Sequence, residues 1–284
     1  MSISVSHKIV DASSIGTFIS AWANANHPSG LKILINPSFD TPSFFPCMNF
    51  PDDDLDPEPS RSPDPMIVVK KFLFNKDAIT NLRAKFRGGR ASRVRLVCAL
   101  IAKALIGVDR TVQGRSRPCL VAQAVNIRER TSIKALSKHC CGNLVAQAVA
   151  TTSSKEKEKL LGFEDLVYLI GDAIDKTIAG CHEISSSSSL PSILIDPVID
   201  AFEKIGSGEM NVLWFSDWSK FGFYEEADFG WGKPVWTGIG TMPAEKLTVL
   251  MGNKEGDGIE AWVHLNHIYM SHFQQDEDIK LLTT

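Results

Sequence analysis

Two stretches of this 284-residue chain hold residue types that could do chemistry. The first is SHKIVDA, where His7 is followed four residues later by Asp11. Imidazole titrates near neutrality, so it can take a proton from a hydroxyl or an amine. Asp11 can orient the ring or cap a following helix, and the H-x-x-x-D spacing leaves both open. A lone histidine is more often a satisfied structural residue than a catalyst. A strand end that leads into a helix N-terminus nevertheless faces a cleft, where reactive groups gather. The second stretch is YEEADFGWGKPVW, residues 224–236, in which Gly230 and Gly232 alternate with Phe229 and Trp231. Glycines set between aromatics mark a backbone bend held against a packed surface. Asp228 reads there as a structural turn residue, and if buried its carboxylate needs a partner such as arginine.

The elements around these residues follow from periodicity and breakers. Residues 2–6 alternate, with Ile3, Val5 and His7 on one face, which predicts a short strand ending at the histidine. Ile15, Phe18, Ile19 and Trp22 have helical spacing; Asp11, Ser13 or Ser14 can cap that helix, and Pro28 and Gly30 end it. Between residues 36 and 65, prolines stand at 37, 42, 46, 51, 57, 59, 63 and 65, and acids at 52, 53, 54, 56, 58 and 64. Such a segment is expected to form no helix and to run extended as a crossover between domains. Strands are predicted at 66–74, 120–127, 212–215 and 259–265. Helices are predicted at 76–86, at 93–106 with Ser92 as cap and Gly107 as stop, at 163–178, and at the C-terminal end. Ser185 to Ser189 reads as a flexible loop and the charged run Lys155 to Lys159 as a solvated surface. Helices and strands mix without internal repeat, so the fold class is α/β.

Composition narrows the function. The chain is 44% apolar and 22% charged with a formal net charge of −3, and no basic stripe carries interleaved aromatics. Nucleic acid is therefore not the expected partner. The longest nearly apolar run, residues 96–108, is interrupted by Lys103 and too short to span a bilayer, and the N-terminus lacks a signal-peptide pattern. Cysteines at 47, 98, 119, 140, 141 and 181 form no C-x-x-C pair, which points to reduced thiols in a cytoplasmic protein.

Taken together, SHKIVDA and DFGWGKP resemble the BAHD family of plant acyltransferases, and further stretches match in order between and beyond them. These are SRVRLVCALIAKAL (92–105), NIRER (126–130), Gly142-Asn143 and DGIEAWVHL (257–265). The first motif's wording is most like the alkaloid O-acetyltransferase branch. The resemblance implies a chloramphenicol acetyltransferase-like α/β fold, with the active site between two similar domains. It implies a remnant of the N-terminal domain over residues 1–36, a crossover over 37–65 and a near-complete C-terminal domain over 66–284. It implies acyl transfer from acyl-CoA, acetyl-CoA by the branch, to a hydroxyl or amine of a specialised metabolite such as an alkaloid. His7 would be the general base, and Ser216 and Trp218 in FSDWSKF would stabilise the intermediate. Asp11 would point away from substrate and pair with Arg128, or in second place Arg130, while Asp228, Gly230 and Gly232 would be structural. No metal and no tightly bound cofactor are implied, and the family is usually monomeric.

Two departures from the family pattern stand out. The family places a large block ahead of the histidine, where this sequence has six residues, so the chain is expected to start inside a domain, with self-association favoured. YEEAD also carries one residue more than the usual spacing. A catalytically inactive relative that binds a partner is the alternative reading. A serine hydrolase using Ser6 is disfavoured, because neighbours on a strand point to opposite faces and no G-x-S-x-G elbow exists. His264, His267 and His272 lack an acidic or cysteine companion for a metal, and Gly206-Ser-Gly208 and Gly238-Ile-Gly240 read as turns.

Overall fold

β-branched and aromatic residues in IVVKKFLF suit a pleated surface, and they form β1 (Ile67–Phe74). Asn75 then accepts from the Ala78 N–H at 2.9 Å and starts α3 (Lys76–Lys85). Ser92 caps α4 (Arg93–Gln113) in the same way, through the Arg95 N–H at 3.1 Å. The structure, a computed structural model, describes residues 1–29, 34–45, 67–152, 161–185, 192–206, 210–240, 242 and 244–283.

The remaining elements are α1 (Ala12–Asn26), α2 (Thr41–Phe44), β2 (Cys119–Asn126), β3 (Val145–Thr151), α5 (Phe163–His182) and α6 (Ser192–Gly206). After them come β4 (Asn211–Asp217), β5 (Leu247–Gly252), β6 (Ile259–Asn266), α7 (His267–Phe273) and α8 (Glu277–Leu282). The strands form one six-stranded sheet in the order β1-β6-β5-β4-β2-β3. Its centre is parallel, β2 beside β4 and β4 beside β5, and its other pairs are antiparallel. The inner face carries the main core. There Val121, Leu213, Phe215, Leu250, Ala261 and Val263 pack on α4, α5 and the last helices through Leu96, Leu100, Ile101, Leu166, Met270 and Phe273. The outer face is covered in two patches, one around Leu120, Ala122 and Ala201 and one around Val249, Met251 and Trp262.

Four expectations need correction. Residues 2–6 form no strand: no described strand runs alongside them, and Ile9 N–H instead closes a turn on the Ser6 carbonyl at 3.0 Å. Alternation marks a strand only where an edge is available to pair with it. The proline-rich stretch does hold a helix, the four residues of α2, because Pro42 sits in the first turn where its missing N–H costs nothing. α4 does not stop at Gly107 but runs to Gln113 and ends at Gly114, whose φ of 65° is the left-handed stop. α5 likewise passes Gly180 and ends at His182. Most of the crossover, the Lys155 to Lys159 run, Gly208 and most of the serine loop lie outside the described residues.

Candidate active site

Asp11 starts α1 as its N-cap, accepting from the Ser14 N–H and the Ser14 hydroxyl, each at 2.9 Å. It is also held from the other side. Arg128 reaches it with both terminal nitrogens, Nη1 to Oδ2 at 2.7 Å and Nη2 to Oδ1 at 3.1 Å, and the Leu144 N–H adds 3.0 Å. Both side chains are buried, Asp11 at 4% and Arg128 at 4% exposure. Such a pair persists only if every other polar atom is satisfied. Arg128 meets that condition: Nε donates to the Cys140 carbonyl at 2.7 Å, and the terminal nitrogens also donate to Asn126 Oδ1, Ser14 Oγ and the Gly142 carbonyl. Burial pushes the Asp11 carboxyl up, but the Arg128 hydrogen bond and charge, with the Ser14 and Leu144 amides, outweigh it and hold it below its ordinary value.

This knot joins segments that are far apart in sequence. NIRER follows the end of β2, and Gly142-Asn143 precedes β3. Arg130 stands in the same turn but donates to the Asn126 carbonyl at 2.9 Å. His7 lies in the turn at residues 7–9, where Asn143 Nδ2 donates to its backbone carbonyl at 2.6 Å. Its ring is exposed. The backbone that carries the imidazole is therefore fixed while the imidazole remains accessible.

The glycine stretch meets the same helix. Asp228, half-buried, accepts at Oδ1 from the Gly230 N–H at 2.8 Å and the Gly232 N–H at 3.1 Å. Both glycines have left-handed φ, 94° and 99°, which suits residues without a Cβ. Gly230 has a second reason to be glycine: a Cβ there would stand 2.1 Å from Pro28 Cδ. Phe229 packs edge-on against Trp22 of α1 with centroids 5.1 Å apart. The backbone of Phe221 lies against Gly16, and Asn126 donates to Ser13 Oγ at 3.3 Å. α1 thus spans from the end of β2 to the loop after β4. The carboxyl ends of parallel strands are where open α/β sheets place ligands.

Ser216 and Trp218 stand at the end of β4 and contact each other, the indole Nε1 donating to Ser216 Oγ at 2.9 Å. Trp218 packs against the outer-face patch of Val249, Met251 and Trp262. The YEEAD stretch closes a tight turn in which the Glu226 N–H donates to the Gly222 carbonyl at 2.8 Å. Sequence reasoning missed Ser14, Asn126 and Leu144 as members of the knot; Ser14 had been a capping candidate, but backbone and long-range amide donors leave no mark in composition.

Elsewhere, His264 is fully buried on β6 with Nδ1 at 3.2 Å from the Leu247 carbonyl, and burial pushes its imidazole down. His267 and His272 are exposed on α7. Among the described residues no group of three His, Cys, Asp or Glu stands ready for a metal, the five described cysteines are free, and no helix is long and apolar enough to cross a membrane. Two surface hollows, one lined by Lys85, Lys103, Glu164 and Asp278 and one by Arg83, Phe86 and Leu96, do not include His7.

Comparison with known proteins bears on this arrangement. The Transferase family model matches residues 1–279. Pelargonidin 3-O-(6-caffeoylglucoside) 5-O-(6-O-malonylglucoside) 4'''-malonyltransferase of Salvia splendens is 41% identical over 283 residues, 99% of this chain and 66% of that protein. Vinorine synthase of Rauvolfia serpentina is 31% identical over 265 residues, 92% of this chain and 58% of that protein. The crystal structure of vinorine synthase superposes with a TM-score of 0.77 at 31% identity, over 98% of this chain and 61% of that one. The structure of F. sporotrichioides TRI101 complexed with coenzyme A and T-2 shares the fold, with a TM-score of 0.60 at 16% identity over 97% of this chain and 64% of that one. The chain therefore spans less than two thirds of the length of these relatives.

Proposed function

We propose, because this chain belongs to the Transferase (BAHD) family, that it moves an acyl group from acyl-CoA to a hydroxyl or amine of a small plant metabolite, with His7 as general base. The observation that carries this reading is the buried Asp11–Arg128 knot. It fixes the chain on the C-terminal side of an exposed imidazole and keeps Asp11 turned into the protein. In the reaction, the imidazole takes the proton of the acceptor O–H as its oxygen attacks the thioester carbonyl carbon. The tetrahedral intermediate then collapses, the C–S bond breaks, and the leaving thiolate takes the proton back from the imidazolium. Products are an ester and free coenzyme A.

Oxyanion stabilisation is usually the larger contribution. Ser216 is the candidate donor. Its oxygen accepts from the Trp218 indole, which leaves its own hydrogen to give. Trp218 then acts through Ser216. No step needs a metal or a tightly bound cofactor; acyl-CoA enters as co-substrate, and the TRI101 structure complexed with coenzyme A has this fold.

Donor and acceptor have two readings. The wording of the first motif favours acetyl transfer to an alkaloid, and relatives named vinorine synthase and stemmadenine O-acetyltransferase are each 31% identical. The 41% identity to a relative named for malonyl transfer to a pelargonidin glucoside favours a malonyl donor and a glycoside hydroxyl. Incubation with acetyl-CoA or malonyl-CoA and a panel of alkaloid alcohols and flavonoid glucosides tests both, by thiol release and by the mass of the product. The expected result is release matched by an acyl-sized mass gain on one acceptor class. Folded protein that releases no thiol with any pair would favour a role in binding a partner instead.

A further inference from the structure

Glu260 is buried, 4% exposed, on the outer face of β6, and the chemistry above makes no use of it. A carboxylate on that face is costly unless its oxygens are hydrogen-bonded. It accepts from the Tyr224 hydroxyl at 3.3 Å to each oxygen and from Lys71 Nζ of β1 at 3.3 Å. The same hydroxyl accepts from the Thr237 N–H at 3.2 Å, so the phenol uses both its donor and its acceptor capacity. Tyr224 is itself buried, at 5% exposure. One hydroxyl therefore gathers both ends of segment 224–237 onto β6. Between those ends lie Phe229, edge-on to Trp22, and Gly230 beneath Pro28. Trp22 belongs to α1, whose N-cap Asp11 follows the His7 turn directly; the Asp11 N–H donates to the Gly142 carbonyl at 3.4 Å, and the neighbouring Asn143 holds the His7 carbonyl.

We propose that Glu260 and Tyr224 are positioning residues for acyl transfer: clamped at both ends, the glycine turn seats α1, and α1 sets the His7 turn. This rests on His7 being the base. An apolar pair at 224 and 260 could fill the same volume but could not hold the Thr237 amide. A role confined to sheet stability would lower the unfolding midpoint and leave α1 and turnover untouched.

Hydrogen exchange on the full chain reads the first half of the linkage without any substrate. In Tyr224→Phe, the amides of α1 are expected to exchange roughly fivefold faster, the size of one net hydrogen bond, while β2 and β4 keep their protection. Glu260→Gln keeps an acceptor for the phenol and is expected to retain wild-type exchange in α1; Glu260→Leu is expected to match Tyr224→Phe. This second pair gives the same readout should Tyr224→Phe fail to fold. Turnover reads the second half. Tyr224→Phe should lower kcat roughly tenfold with KM for acyl-CoA within about twofold, as expected of a displaced catalytic group. The loss should not multiply with that of Trp22→Ala, since both act through one contact. Unchanged exchange in α1, or kcat losses that multiply in the double variant, would overturn the inference. Wild-type protein without transferase activity would instead overturn the reading of His7, and the exchange arm would still decide whether Tyr224 and Glu260 seat α1.

Discussion

Asp11 accepts from Ser14, from Arg128 and from Leu144, and every one of those donors favours its ionised form. The consequence for stability has a definite sign. A carboxyl held below its unfolded value of about 3.9 stabilises the fold fully above that pH and loses the contribution as pH falls through the folded value. Asp109 acts in the same direction: burial raises it, but Arg117, Tyr269 and Lys246 outweigh that and hold it down. The urea midpoint is therefore expected to decline gently as pH falls below about 6.5, where the unfolded His264 imidazole takes up a proton that the buried ring resists, and to drop more steeply below about pH 4. Asp11→Asn should remove part of that slope and cost about 3–5 kcal/mol near neutrality, because Arg128 is left buried without its counter-charge. An unchanged acid slope in this variant would contradict the account of the knot. At this scale H-x-x-x-D and NIRER stood out because side-chain chemistry is written in residue type. The Leu144 amide and the Gly142 carbonyl did not, since any residue supplies them.

α1 is the element on which the arrangement turns, and its seat is a contact between two motifs separated by some two hundred residues. Gly230 and Gly232 separate two effects there. Both have left-handed φ, but a Cβ at 230 meets Pro28 while nothing lies within 4 Å at 232. Gly230→Ala should cost about 1–3 kcal/mol of backbone strain plus the clash, and should loosen α1; Gly232→Ala should show strain alone. Urea denaturation of the two variants, with hydrogen exchange of the α1 amides beside it, checks the order, and equal losses would contradict it. Ser92→Ala tests a simpler element, with an expected loss of about 1 kcal/mol at the α4 cap. Legibility varied among elements. β1, β2, β4 and β6 announced themselves through branched and aromatic residues. β3 did not, because VAQAVAT is rich in alanine, and α6 did not, because Pro197 reads as a breaker although the helix continues through it. β5 was overlooked as a short apolar run, which periodicity alone cannot assign.

At the scale of the molecule, the mixed α/β fold is the chloramphenicol acetyltransferase-like one that the motifs led us to expect, and its parallel centre sends β2 and β4 toward α1. Strand order could not be read from the sequence, because pairing depends on which apolar faces find each other across the chain. What the arrangement achieves is to bring a fixed histidine turn, the Ser216–Trp218 pair and the glycine turn to one end of a sheet whose inner face is fully packed. The most direct test of the central claim is the initial rate of coenzyme A release by His7→Ala beside wild type, with the acceptor that gives the fastest turnover and with circular dichroism to show an unchanged fold. Loss of a general base should slow release by about 10²–10⁴-fold. A folded His7→Ala protein that releases coenzyme A at the wild-type rate would contradict it.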